Sequence, residues 1–323
     1  MDQNDDKQPL YYVPAKSNMA IFTATSLAVT LWGAASGIQA LGTESAGQSW
    51  SIFYLGLIAL LLTLSSWFYL TIKENISGLN SHKVKISYRM GMQWFIFSEV
   101  MFFAAFFGAL FYVRQLSGPW LAGEGDGVMN KLLWPGFEFS WPLMDTPQDA
   151  IGGSKAQVQA GHLANTGTHS GPVRNMSFPG FSNLLHWLPF WNTLLLVSSS
   201  VWLEFAHHAL KKGHRTAFNR WLGLTLIFGF VFVFLQYMEY REAYMDYGLH
   251  LNSGVYGATF FMLTGFHGFH VIMGACMLSV QFVRSLLGKH FSPEDHFGFE
   301  ASAWYWHFVD VVWIFLVFVV YLF

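Results

Sequence analysis

The sequence predicts an all-α polytopic membrane protein with seven transmembrane helices, and three observations predict it. Of its 323 residues 53% are hydrophobic, 19% aromatic and only 11% charged, far from a soluble domain. Apolar runs of about 20 residues or more, enough to cross a bilayer, fall at about 19–41, 51–72, 92–113, 188–210, 219–241, 253–283 and 300–323. The basic residues sit in short clusters between those runs rather than in a stripe, which excludes a nucleic-acid partner.

The opening segment, 1–18, is acidic at Asp2, Asp5 and Asp6, where a secretory signal starts basic, so the first span is expected to be kept. Spans one and two form a two-helix membrane group at 19–72. The polar, basic stretch 73–91 is expected as a cytoplasmic loop, followed by a five-helix group over 92–323. Within that group, 116–187 holds six of the ten prolines with many Gly, Ser, Asn and Thr residues, so it is expected as an irregular extramembrane insert. Assigned alternately, one side receives Lys7, Lys16, Lys73, Lys83, Lys85, Arg89, Lys211, Lys212, Arg215, Arg220, Arg284 and Lys289. The positive-inside rule therefore places the N-terminus in the cytoplasm, the insert in the periplasm and the C-terminus outside.

Ionisable residues at membrane depth are costly and are candidates for function. Glu99 lies in the third run, His207 and His208 in the fourth, His267 and His270 in the sixth, and His307 and Asp310 in the seventh. Glu204 and Glu239 lie nearer span ends. Antiparallel threading brings Glu99, His207, His208, His270 and His307 to the cytoplasmic half or the midplane, where they can form one buried polar cluster. His267 and His270, like His307 and Asp310, are three apart on one helix face, so each pair can equally satisfy itself or a neighbouring helix. Glu99 is set among Phe95, Ile96, Phe97, Val100, Met101, Phe102 and Phe103, which favours a neutral carboxyl unless something pairs with it.

The ligand inventory argues against a redox centre in this chain. Cys276 is the only cysteine, too few for an iron–sulfur cluster or a two-thiolate copper site. His267 and His270, one turn apart, do not supply the two layers of facing histidines that two haems need. A transporter is the alternative from another class. Its inverted repeats and proline-broken helices are not evident: no proline lies inside a span, and Pro189 only opens the fourth.

The run Ala303-Trp-Tyr-Trp-His-Phe-Val-Asp-Val-Val-Trp313, preceded by His296-Phe-Gly-Phe-Glu300, resembles the seventh helix of the haem–copper oxidase subunit III family. Gly254 to Val271 resembles that family's sixth helix, and Ser98-Glu99-Val100-Met101-Phe102-Phe103 its third. Asn192-Thr193, Ala206-His207-His208 and Glu239 with Glu242-Ala243 extend the likeness, which is weaker in the first two helices and absent from the insert.

The resemblance implies helices splayed in a V, two against five, with phospholipids in the cleft and the whole docked on subunit I. It implies lipid-headgroup roles for Trp67, Glu74, His82 and Arg284, and makes Glu99 the family's carbodiimide-reactive carboxyl. It implies no catalytic or metal-binding residue here, haems and copper in partner subunits I and II, and cytochrome c as donor to a proton-pumping complex. Seven helices favour a cytochrome c oxidase over a quinol oxidase, whose related subunit usually has five. The long insert favours a bacterial inner membrane. Glu204 departs from the family pattern.

Overall fold

The structure, a computed structural model, describes residues 17–40, 46–125, 137, 139, 141–143, 178–251, 253–288, 290–293 and 295–322. The opening segment up to residue 16 and most of the proposed insert lie outside these. Seven long helices are described: α1 Met19–Gln39, α2 Ala46–Ile76, α3 His82–Tyr112, α4 Leu188–Lys211, α5 Arg215–Met245, α6 Gly254–Leu287 and α7 Phe297–Leu316. A π-helical segment, Val113–Ser117, and one further turn, Gly118–Leu121, prolong α3, while a second π-helical segment, Val317–Leu322, prolongs α7. A 3₁₀ segment, Phe181–His186, precedes α4.

Six of the seven helices are long and apolar enough to cross a membrane. The other is α4, 24 residues long, where Asn192, Ser198, Ser199, Ser200, Glu204, His207 and His208 dilute the hydropathy that Leu194, Leu195 and Leu196 supply.

Two boundaries need correction. The stretch 73–91, expected as a loop, is helical at both ends, with α2 continuing to Ile76 and α3 already begun at His82. Lys73, Lys83, Lys85 and Arg89 are good helix formers, and hydropathy marks where a helix leaves the apolar zone rather than where it ends. The insert is likewise entered by helix as far as Leu121 and left through the turn Phe181–His186.

The chain divides into two compact units, Met1–Gly91 and Met92–Phe323. In the first, α1 and α2 touch backbone to backbone. A Cβ added at Gly33 would stand 2.3 Å from the Phe53 amide nitrogen, and one at Gly56 2.6 Å from that of Thr30. Small residues are what permit so close a crossing in lipid, where hydrophobicity does not draw helices together. Ser26 and Thr63 hydroxyls meet at 3.2 Å across the same seam.

The second unit is built around α7. Trp306 and Trp313 are fully buried, and Gly229 on α5 and Gly274 on α6 make the space for the Trp306 ring, since an added Cβ would stand 2.6 Å and 3.0 Å from it. The indole nitrogens donate to α4, Trp306 to Ser199 at 2.9 Å and Trp313 to Thr193 at 3.1 Å. Pro189 sits in the first turn of α4, where its missing N–H costs nothing. Gly213, at φ 75°, ends that helix and lets the chain reverse into α5. α6 runs unbroken through its glycines. Large apolar side chains such as Phe95, Phe205, Phe234, Phe269 and Phe315 remain exposed, the inverse of a soluble core and the arrangement lipid requires.

Candidate functional site

Glu99 and His270 form a close pair across α3 and α6, with Glu99 Oε2 2.9 Å from His270 Nε2. The other ring nitrogen, Nδ1, lies 2.6 Å from the Phe266 carbonyl oxygen, which can only accept, so Nδ1 carries a proton. Nε2 then has two options. It accepts from a protonated carboxyl, or it is protonated and donates to a carboxylate. Both forms of the pair have zero net charge and differ by one proton moved between the partners. That is a low-cost way to hold a carboxyl and an imidazole at membrane depth. The rings of Phe103, at 5.1 Å, and Tyr305, at 6.3 Å, enclose the imidazole. The apolar surroundings of Glu99 were legible in the sequence. Its partner was not.

The remaining ionisable residues do not join this pair in one cluster. His307 Nδ1 lies 2.9 Å from Ser200 Oγ on α4, and the same hydroxyl donates to Asp310 Oδ2, so α7 presents both groups to a single serine. His267 Nε2 lies 3.2 Å from the Val309 carbonyl and must donate to it. The sixth-helix and seventh-helix pairs thus satisfy neighbouring helices rather than themselves. His207 stands at 4.0 Å from Glu204, beyond hydrogen-bond reach, with its ring beside those of His296 and Phe299. His208 is exposed, because consecutive residues on a helix point about 100° apart and His207 takes the inner direction. Expecting both in one inner cluster was wrong for that reason. Among the described residues no three His, Cys, Asp or Glu side chains converge as metal ligands do.

Of the headgroup candidates, Trp67 is exposed near the end of α2, Glu74 is half-buried in its last turn, and His82 is exposed at the first position of α3 rather than in a loop. Arg284, in the second unit, donates from Nη1 to Gln281 at 2.9 Å and lies 4.7 Å over the Phe291 ring. Its charge is shared with these two partners. Ser200, the tyrosine–carboxylate bond from Tyr321 to Glu239 at 2.6 Å and the bond between Tyr240 and Thr264 at 2.7 Å were not foreseen. The run Ser198-Ser199-Ser200 inside a span was the available signal for the first.

The sequence model of the family described as Cytochrome c oxidase subunit III matches residues 10–123 and 182–323. The chain is 37% identical over 292 residues to "Cytochrome c oxidase subunit 3" of Carassius auratus, covering 88% of this chain and 91% of that one. The proteins of that name from Formosania lacustris (38% over 270 residues, 83% and 82% covered) and Drosophila melanogaster (35% over 299 residues, 90% and 92%) are similarly close. The chain belongs to the cytochrome c oxidase subunit III family. Every candidate residue from Trp67 to Asp310 lies within the matched segments, and the internal gap between them, 124–181, lies inside the proposed insert. As a subunit III with several membrane-crossing helices, the chain is a multi-pass membrane protein of a haem–copper oxidase, an oxidoreductase complex of several subunits.

Proposed function

We propose that this subunit III supports a proton-pumping cytochrome c oxidase without carrying a redox centre. The observation that carries this reading is how the histidines of α6 and α7 within the helix bundle are used. His267 serves a backbone carbonyl, His270 serves Glu99, and His307 serves Ser200, so the imidazoles are engaged in holding helices together. In this reading haems and copper reside in subunits I and II, cytochrome c is the donor, and oxygen is reduced to water there. The chain stabilises subunit I, sustains proton uptake on the cytoplasmic side and admits oxygen through bound phospholipid, since a nonpolar gas partitions into hydrocarbon. α4 is the seventh span, and the two helical groups splay in a V whose lipids meet Trp67, Glu74, His82 and Arg284. Purification through a tag on this chain tests the reading. Haem-bearing partner subunits and a cytochrome c oxidase activity should come with it, whereas a quinol oxidase activity would move the donor, and capture without any haem protein would sink the assignment.

The proposed membrane is a bacterial inner membrane, with the N-terminus cytoplasmic and the C-terminus periplasmic. A reporter fused after Lys212 should then report cytoplasm and one after Ala150 periplasm. The reverse pattern would overturn the orientation.

Glu99 is proposed as the reactive membrane carboxyl. A hydrophobic carbodiimide partitions into lipid and attacks protonated acids, and Glu99 lies in a membrane-spanning helix beside His270 among apolar side chains. Labelling should fall to background in Glu99→Gln. A label found mainly on Asp310 or Glu204 would refute the assignment.

A further inference from the structure

We infer that α4, α5, α6 and α7 enclose a site for ordered water, reaching from Asn192 and His267 to Glu239. The inference rests on buried polar atoms that find no protein partner and on the contacts that bring them to neighbouring levels.

Asn192 is fully buried, yet neither its Oδ1 nor its Nδ2 is hydrogen-bonded. Gln236, 6% exposed, has both amide atoms unpaired; Glu239, 4% exposed, has Oε2 unpaired; and His267, fully buried, has Nδ1 unpaired. Since His267 Nε2 donates to the Val309 carbonyl, the neutral ring offers Nδ1 as an acceptor.

Two cross-helix bonds fix the levels. Trp306 on α7 bonds Ser199 on α4, and Trp313 bonds Thr193, so α4 and α7 run antiparallel with Asn192 beside the level of Trp313. Thr225 on α5 bonds the Ser199 carbonyl at 3.3 Å. Seven residues back from Ser199 is Asn192, and seven on from Thr225 is Phe232, each about 10 Å along its axis. The Phe232 ring indeed meets that of Trp313 at 4.9 Å, and His267 meets the same indole at 5.0 Å. Gln236 and Glu239 follow about one and two turns further on the buried face of α5. Glu239 is held there by Tyr321, whose ring is 6.0 Å from that of Trp313.

Polar atoms left unpaired away from water are expensive, and native proteins rarely tolerate several together. A buried water makes about three hydrogen bonds, so about two waters satisfy the amides of Asn192 and Gln236 together with Glu239 Oε2 and His267 Nδ1. Water suits this set because it both donates and accepts, and the set mixes amide donors with carbonyl, carboxylate and imidazole acceptors. None of these groups belongs to the pair formed by Glu99 and His270.

A map of the assembled oxidase, at a resolution that shows ordered solvent, tests the site. Compact peaks within about 3 Å of at least two of Asn192, Gln236, Glu239 Oε2 and His267 Nδ1 are expected. In Asn192→Leu the peak beside residue 192 should vanish while Glu239 keeps its own. The site is refuted if the wild-type map shows the four side chains rotated into direct bonds with one another, or shows no density between them.

Discussion

Removing this chain should leave an oxidase with normal haem spectra and substantial initial oxygen consumption, because in the proposed role electron transfer and oxygen reduction need only the partner subunits. Endurance should fail instead. If the chain and its lipids hold subunit I together and support proton uptake, the depleted enzyme should lose activity progressively during turnover, while the intact enzyme continues. The loss should be faster at alkaline pH, where scarce protons leave reactive oxygen intermediates waiting. Progress curves of oxygen consumption at several pH values measure this directly. Restoring the wild-type chain with phospholipid should recover durability, and the chain mutated at Trp67 or Arg284 should recover it less well. A depleted enzyme as durable as the intact one across pH would leave the chain an assembly role only.

Trp306→Ala should produce the largest single-residue loss of stability in the second unit. The ring is fully buried, fills the space left by Gly229 and Gly274, and bonds Ser199. Lipid is as apolar as the core, so the cost comes from the cavity, the lost contacts and the lost hydrogen bond rather than from exposure to water. Truncations of large aromatic side chains in cores cost about 3–5 kcal/mol, and a site walled by two glycines cannot collapse without moving helices. Detergent or thermal unfolding of the assembled complex should show this chain released first. A change below about 1 kcal/mol would mean the three helices close over the gap, against the packing rule for core cavities.

Much of the architecture was legible because crossing a bilayer forces long apolar helices, and those can be read one at a time. The helix ends were misread where the cause is different. α2 and α3 continue through Lys73, Lys83, Lys85 and Arg89 because the backbone stays helical after the side chains become charged. The site was legible residue by residue but not as pairs. Glu99 and His270 are 171 positions apart, and nothing local tells an imidazole whether it will meet a carboxyl, a serine or a carbonyl. Helix rotation decided those outcomes, turning His270 toward α3, His307 toward α4 and His208 outward. The likeness of α7 to its family, by contrast, lay in a continuous string, on a helix that buries Phe299, Tyr305, Trp306, Val309, Trp313 and Leu316 against its neighbours.

If redox chemistry happens elsewhere in the complex, this chain, stripped of its partners in folded form, should hold neither haem nor copper. Absorption spectra and metal analysis of the separated chain should show no Soret band and no stoichiometric copper, with all of both retained by the partner fraction. Stoichiometric haem that stays with this chain through washing would contradict it.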